Sequence, residues 1–307
     1  MLALHTPDGR PAPLPLAPDT ALGWRVLAED TRWCLGWWSV TDVERRRHHP
    51  CPGQRPAENG YACAQCADRD EVRPQHDSHR SGRMGAGLRR YLAQPHWLYV
   101  ATFADGTTKI GTASDTSRHH RLVEQGALHA RYVARTRDGL VVRVLEDAVS
   151  AALGLPQAVR SAAKASALAA FPSPGRLTAA DGQGGVLEAD GGLAGVNAQA
   201  ADRVRSVLGD VAVDGFAVAD RCWERPPAFE QFLAGLPAPV YPLDPAAGEH
   251  GVRVLAVLGP TLLAAVPPAG ERFLIDLARL RGRRLQLGGY SAALPARQPT
   301  LFEAPGL

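Results

Sequence analysis

Lysine is almost missing from this chain. Lys109 and Lys164 are the only two, and nearly every other cation is arginine. With abundant alanine beside it, this usage fits a GC-rich genome more simply than selection for guanidinium chemistry. Long apolar runs are missing too. No stretch approaches the roughly 18–20 residues that span a bilayer as a helix. The opening MLALHTPDGRPAPLPLAPDT has no basic start followed by a continuous apolar core, so no secretory signal is read there. Both absences predict a cytoplasmic protein. Cysteine is sparse at five residues, but four of them lie between positions 34 and 66.

What remains is the composition of a soluble globular protein, 45% apolar and 21% charged, with a net charge of only +3. A chain of 307 residues has room for two or three domains with cores of their own. The charge is uneven. Arg73 to Arg143 holds twelve Lys/Arg against five Asp/Glu, which leaves the rest of the chain net acidic. A basic region of this kind favours a polyanionic partner such as DNA or RNA, although a solvated arginine-rich surface has the same composition.

Cys34, Cys51, Cys63 and Cys66 carry the most specific spacing. Cys63-Ala-Gln-Cys66 puts two thiolates across a tight turn, and Cys51-Pro-Gly occupies another. Four sulfurs at about 2.3 Å would close a tetrahedral zinc site that builds structure and activates no water. Clustered cysteines in a cytosolic chain are metal ligands more often than disulfides. Two alternatives stay open: His48 or His49 in place of Cys34, or a CxxC redox pair. Trp33, Trp37 and Trp38 surround Cys34 and read as local core, though aromatics near a nucleic-acid site can stack on bases. Residues 66–90 read as a polar loop or connector, helical near its end, with His76 and His79 solvated.

Between Trp97 and Glu146 the pattern is more regular. An apolar run from Trp97 to Phe103 meets Asp105-Gly106 and a second run from Thr107 to Gly111, which together form a hairpin signal. A polar segment with Arg118, His119, His120 and Arg121 ends at Gly126, as a helix stopped by glycine does. Ala130 to Thr136 reads as a third strand, and Leu140 to Leu153 as a helix carrying Glu146.

This order, with Leu98-Tyr99-Val100, Lys109-Ile110-Gly111, Arg118 or Arg121, and Glu146, resembles the GIY-YIG nuclease domain. With the cysteines before it, the region from about 34 to 150 looks like an uncharacterised bacterial family of zinc-cysteine proteins with such a core. Two departures stand out: the first motif lacks its glycine, and Lys109 stands where the family has tyrosine. The resemblance implies a metal-dependent nucleic-acid phosphodiesterase, a hydrolase in which Glu146 binds Mg²⁺ or Mn²⁺, Tyr99 orients or deprotonates water, and Arg118 or Arg121 faces the phosphate. Lys109 would be a phosphate-binding cation, and His119 or His120 a substitute base. The departures leave open a zinc-containing nucleic-acid-binding protein that has lost catalysis, or a core turned to small-molecule chemistry. Gly111 is read as a tight passage from strand to helix.

Beyond this core, Ala162 to Ala170 and Asn197 to Leu208 read as helices, separated by a Pro172–Gly175 break and by the glycine-dense 182–195, read as linker or loop turns. Residues 210–307 alternate short β-rich runs with Pro and Gly, and Cys222 reads as buried. The expected fold class is α+β: residues 1–90 with a four-cysteine zinc module, 91–155 as the GIY-YIG-like core of hairpin, helix, strand and helix, 156–209 as a connector, and 210–307 as a small antiparallel β domain.

Overall fold

The computed structural model describes residues 2–6, 9–42, 46–172 and 186–295. Strand β1 (Ala21–Leu27) precedes a short hairpin of β2 (Trp37–Val40) and β3 (Arg46–His49). Three short helices follow: α1 (Ala64–Arg69), α2 (Ser78–Ser81) and α3 (Ala86–Leu92). The central stretch is β4 (His96–Thr102), β5 (Thr108–Ser114), α4 (Arg118–Gln125), β6 (His129–Thr136) and α5 (Gly139–Leu153). Then come α6 (Ser161–Ala169), α7 (Val186–Gly209), β7 (Phe216–Cys222) and α8 (Ala228–Ala234). The chain closes with β8 (Glu249–Leu258), β9 (Thr261–Val266), β10 (Glu271–Asp276) and β11 (Arg284–Leu287). The molecule is mixed α+β, and all strand pairs in its three sheets are antiparallel. No helix among the described residues is long and apolar enough to cross a membrane.

The four-stranded sheet runs β5-β4-β6-β7. Its second strand, HWLYVAT, is buried at every position, the pattern of a strand covered on both faces. Leu98 and Val100 pack with α5 and α7, while Trp97, Tyr99 and Ala101 face the opposite cluster. Local chemistry sets the boundaries. Gly106 takes φ +79° in the turn between β4 and β5. Asp138 caps α5 by accepting from the amides of Leu140 and Val141 at 2.9 and 2.8 Å. Gly126 stops α4 in the left-handed region.

The five-stranded sheet runs β10-β9-β8-β1-β11. Strand β1 thus lies between β8 and β11, so residues near the start of the chain complete the sheet built from its end. Strand β7, from the C-terminal third, joins β6 in the other sheet. One apolar cluster spans both sheets, from Tyr99, Phe103 and Leu122 to Phe232, Leu258 and Leu274. The sheets meet closely at two glycines. A Cβ on Gly126 would lie 2.6 Å from Leu258 Cδ2, and one on Gly259 would lie 2.5 Å from the Gly126 amide nitrogen.

Three segments differ from the sequence reading. Residues 186–195 are helical, not linker. Leu193, Asn197, Ala201, Val204 and Leu208 form a buried stripe at helical spacing, and this packing overrides the local glycines. Residues 182–185 and 173–175 lie outside the described residues. The polar connector of 66–90, helical at its end in α3 as read, also contains α2, and His79 is tied to Asp147 Oδ2 at 2.6 Å with a side chain only 6% exposed. Cys222 is exposed because β7 is an edge strand.

Candidate functional site: a four-cysteine knuckle and a cationic cluster

Two places gather chemically active side chains. The first is the knuckle. Cys34, Cys51, Cys63 and Cys66 are all buried and free of disulfides, and their sulfurs lie within 4.8 Å of one another. Cys51 and Cys63 are 3.9 Å apart, close to the ~3.8 Å edge of a tetrahedron with metal–sulfur bonds of about 2.3 Å. Cys63 sits at the N-cap of α1 with Cys66 in its first turn, so the CxxC spacing becomes one helical turn. The Gly36 amide donates to Cys34 Sγ at 3.3 Å. Burial and the three neighbouring thiols push the Cys66 thiol up. The four sulfurs can hold a metal ion such as zinc. Neither histidine substitutes for Cys34: His48 Nε2 meets the Leu35 carbonyl at 2.6 Å, and His49 Nε2 meets Ser39 Oγ at 2.7 Å.

The second place is the end of the four-stranded sheet where β5, α4 and α5 meet. Tyr99 is 1% exposed, and its hydroxyl accepts from Gln125 Nε2 at 2.6 Å. Gly111 lies directly across the ladder from Tyr99, and a Cβ there would stand 2.6 Å from the ring. The glycine is therefore required mid-strand, to seat the tyrosine, and not at a passage into a helix. Lys109 is 6% exposed and donates to the Gln157 carbonyl at 3.1 Å. Glu146 is 3% exposed and accepts from Arg143 Nη1 at 2.5 Å.

Charge links these groups. Burial first, and then Arg121 and Lys164, hold Lys109 down at about 8 against the pull of Glu146. Burial and Arg121 bring Lys164 to about 8 as well. Lys164 donates to the Gln125 carbonyl at 2.8 Å, at the end of α4. Burial raises both Glu146 and Tyr99. Arg121, half-exposed, forms the outer rim. The segment after α5 covers the floor: the Ile110 amide donates to the Pro156 carbonyl at 3.1 Å, and Gln157 Nε2 to Asp147 Oδ1 at 3.1 Å.

Of the residues read from sequence, Tyr99, Lys109, Arg121 and Glu146 share one electrostatic neighbourhood. Arg118 is elsewhere, paired with Asp115 and laid over Trp97 at 5.3 Å. His119 Nδ1 accepts from the Trp223 indole at 3.0 Å. His120 is exposed and pairs with Glu124 at 3.1 Å. Sequence reading missed Arg143, Gln125 and Lys164. The signals were there: Arg143 precedes Glu146 by three residues on one helix face, and Lys164 is the second of only two lysines.

No set of carboxylates at this cluster is placed to hold Mg²⁺ or Mn²⁺ by protein ligands alone. Glu146 is committed to Arg143 and its neighbour Asp147 to His79 and Arg80. Among the described residues, the four cysteines are the only group of three or more His, Cys, Asp or Glu side chains placed to hold a metal.

No family model matches the chain, and neither curated proteins nor solved structures give a match.

Proposed function

We propose that the chain is a nucleic-acid-binding protein: a GIY-YIG-like core that grips phosphate without cutting it, beside a zinc-held knuckle. The observation that carries this reading is the charge balance of the cluster. Lys109, Arg121, Arg143 and Lys164 act around Glu146, with Asp276 near Lys164 and Glu124 3.9 Å from Arg121. Arg143 already neutralises Glu146, and setting Glu124 and Asp276 against the other three cations leaves a surplus of one positive charge in a partly desolvated place. Such a place suits an anion and repels a divalent cation. Tyr99 cannot serve as a base near neutrality, because burial raises its pKa and Gln125 occupies its oxygen. The basic stretch from Arg73 to Arg143 supplies a wider field for the same partner.

Fluorescence anisotropy with a labelled duplex tests this. Binding at low salt should weaken steeply as salt rises, and Arg121→Ala should lower the salt slope by about one. Incubation with Mg²⁺ or Mn²⁺ should leave plasmid, branched and single-stranded substrates intact. Nicking that disappears in Glu146→Ala would reinstate the nuclease reading. Absence of binding at low salt would remove nucleic acid as the partner.

A further inference from the structure

The hairpin of β2 and β3 shows a second feature, away from the cationic cluster. It is joined directly to the knuckle, with Cys34 three residues before it and Cys51 two residues after it. Its register pairs Trp37 with His49, Trp38 with His48, Ser39 with Arg47 and Val40 with Arg46. Side chains alternate between faces, so Trp38, His48 and Arg46 share one face and Trp37, His49 and Arg47 the other. On the first face Trp38 is 42% exposed, one of the few large apolar side chains left in water. Its ring stands 4.8 Å from His48, and His48 stands 4.7 Å from His5, which is also exposed. On the second face Trp37 lies flat on His49 at 3.9 Å and 11°. Strand β3 reads Arg-Arg-His-His, with no acidic residue.

An apolar ring left in water beside His48 and His5 is poorly explained as core, with Arg46 lying over Tyr91 at 4.1 Å and Asp70 accepting from the Trp38 amide at 3.3 Å. It is well suited to a nucleobase, which offers a flat π-face and an adjoining phosphate. We propose that this hairpin is a stacking platform for unpaired bases, so that the preferred ligand is single-stranded DNA or RNA. Trp38 takes the base face, extended by His48 and His5, and Arg46 on the same face meets the backbone. A duplex keeps its bases stacked inside and offers the platform only phosphate. The knuckle fixes the hairpin, which holds the rings in place before the ligand arrives. This inference rests on the nucleic-acid reading above, but it uses different residues.

The test is anisotropy with a fluorescein-labelled oligothymidylate and with a duplex bearing the same label. The wild type should bind both. Trp38→Ala should weaken the single strand roughly tenfold, in line with the cost of losing one stacked base, and leave duplex affinity and zinc content unchanged. Trp38→Phe, which keeps a ring, should retain most of the single-strand affinity. Equal binding of oligothymidylate by Trp38→Ala and wild type would overturn the platform while leaving phosphate binding at the core intact. Failure of the wild type to bind either probe at low salt would sink both proposals. An effect of Trp38→Ala on self-association alone would assign the rings to a protein contact and overturn the platform as well.

Discussion

The knuckle and the cationic cluster solve opposite electrostatic problems. Four thiols within 4.8 Å of one another cannot all ionise unless something positive stands between them. The cluster leans the other way, with Lys109, Arg121, Arg143 and Lys164 set against Glu146, Glu124 and Asp276. Their scaffolds differ accordingly. The knuckle is held by turns, a two-stranded hairpin and a six-residue helix, with little core of its own. The cluster stands on a sheet strand buried along its whole length. Removing the charged partner should therefore dismantle the first and only loosen the second.

The largest effect belongs to the knuckle. Metal analysis should give about one zinc per chain, and Cys63→Ser or Cys66→Ser should abolish it. Structural zinc supplies folding free energy on the order of 10 kcal/mol in small modules. Loss should therefore unfold residues 34–66, seen as rapid proteolysis there, while the central sheet keeps its far-UV dichroism. Protein purified under reducing conditions without chelator and found free of metal would erase the contrast.

Next comes Glu146→Gln. It leaves Arg143 and Lys109 buried beside a neutral amide, and breaking a buried pair costs about 3–5 kcal/mol. The variant should lose stability to urea but bind nucleic acid at least as tightly as wild type, because the surplus positive charge grows. A Glu146→Gln protein as stable as wild type, with weaker binding, would make the carboxylate part of the ligand site and reverse this assignment.

Gly111→Ala sharpens the same contrast from the steric side. Its Cβ would stand 2.6 Å from the Tyr99 ring, against a strand with no room to shift. Overpacking of this kind costs about 1–3 kcal/mol. Pairing it with Tyr99→Leu should recover part of the loss, as measured by the urea midpoint. If the two costs simply add, the ring is not what the glycine accommodates.

Much of this was legible in the sequence where one residue type has one physical use. The cysteine spacing reported the knuckle, and the Asp105-Gly106 turn, the Asp138-Gly139 start and the Gly126 stop marked the boundaries of the central elements. Long-range pairing was not legible. Nothing in ALGWRVL says that β1 lies between β8 and β11, because an alternating strand fits any edge with a free ladder. The first part of helix α7, before Asn197, was hidden because its glycines lower local propensity, and only a sheet face outside the segment makes the Leu193–Leu208 stripe decisive. The choice between Arg118 and Arg121 was also beyond sequence. Three residues apart on α4, they end at different places because Asp115 and Trp97 capture Arg118 first.

The smallest expected effect separates Lys109 from an ordinary surface cation. Its pKa is lowered from 10.5 to about 8, first by burial and then by Arg121 and Lys164, so its charge is a net cost to the fold near neutrality. Below about pH 8 both the folded and the unfolded chain carry the proton, and that cost is fully present. Between about 8 and 10.5 the unfolded chain binds more protons than the folded one, so this group makes stability rise with pH and the cost is gone above that window. Replacing the ammonium by a neutral chain of similar length, Lys109→Met, should stabilise the protein at pH 7 by on the order of 1 kcal/mol and flatten that rise. Nucleic-acid affinity should change in the opposite sense, weakening several-fold in Lys109→Met at pH 7. In the wild type it should fall as pH passes about 8, where an exposed lysine would still be charged. A gain in stability coupled to a loss in binding is what a residue kept for its ligand should show. If Lys109→Met gains stability and binds undiminished, the buried ammonium serves neither fold nor ligand, and the anion site must be sought at Arg121 and Lys164 alone.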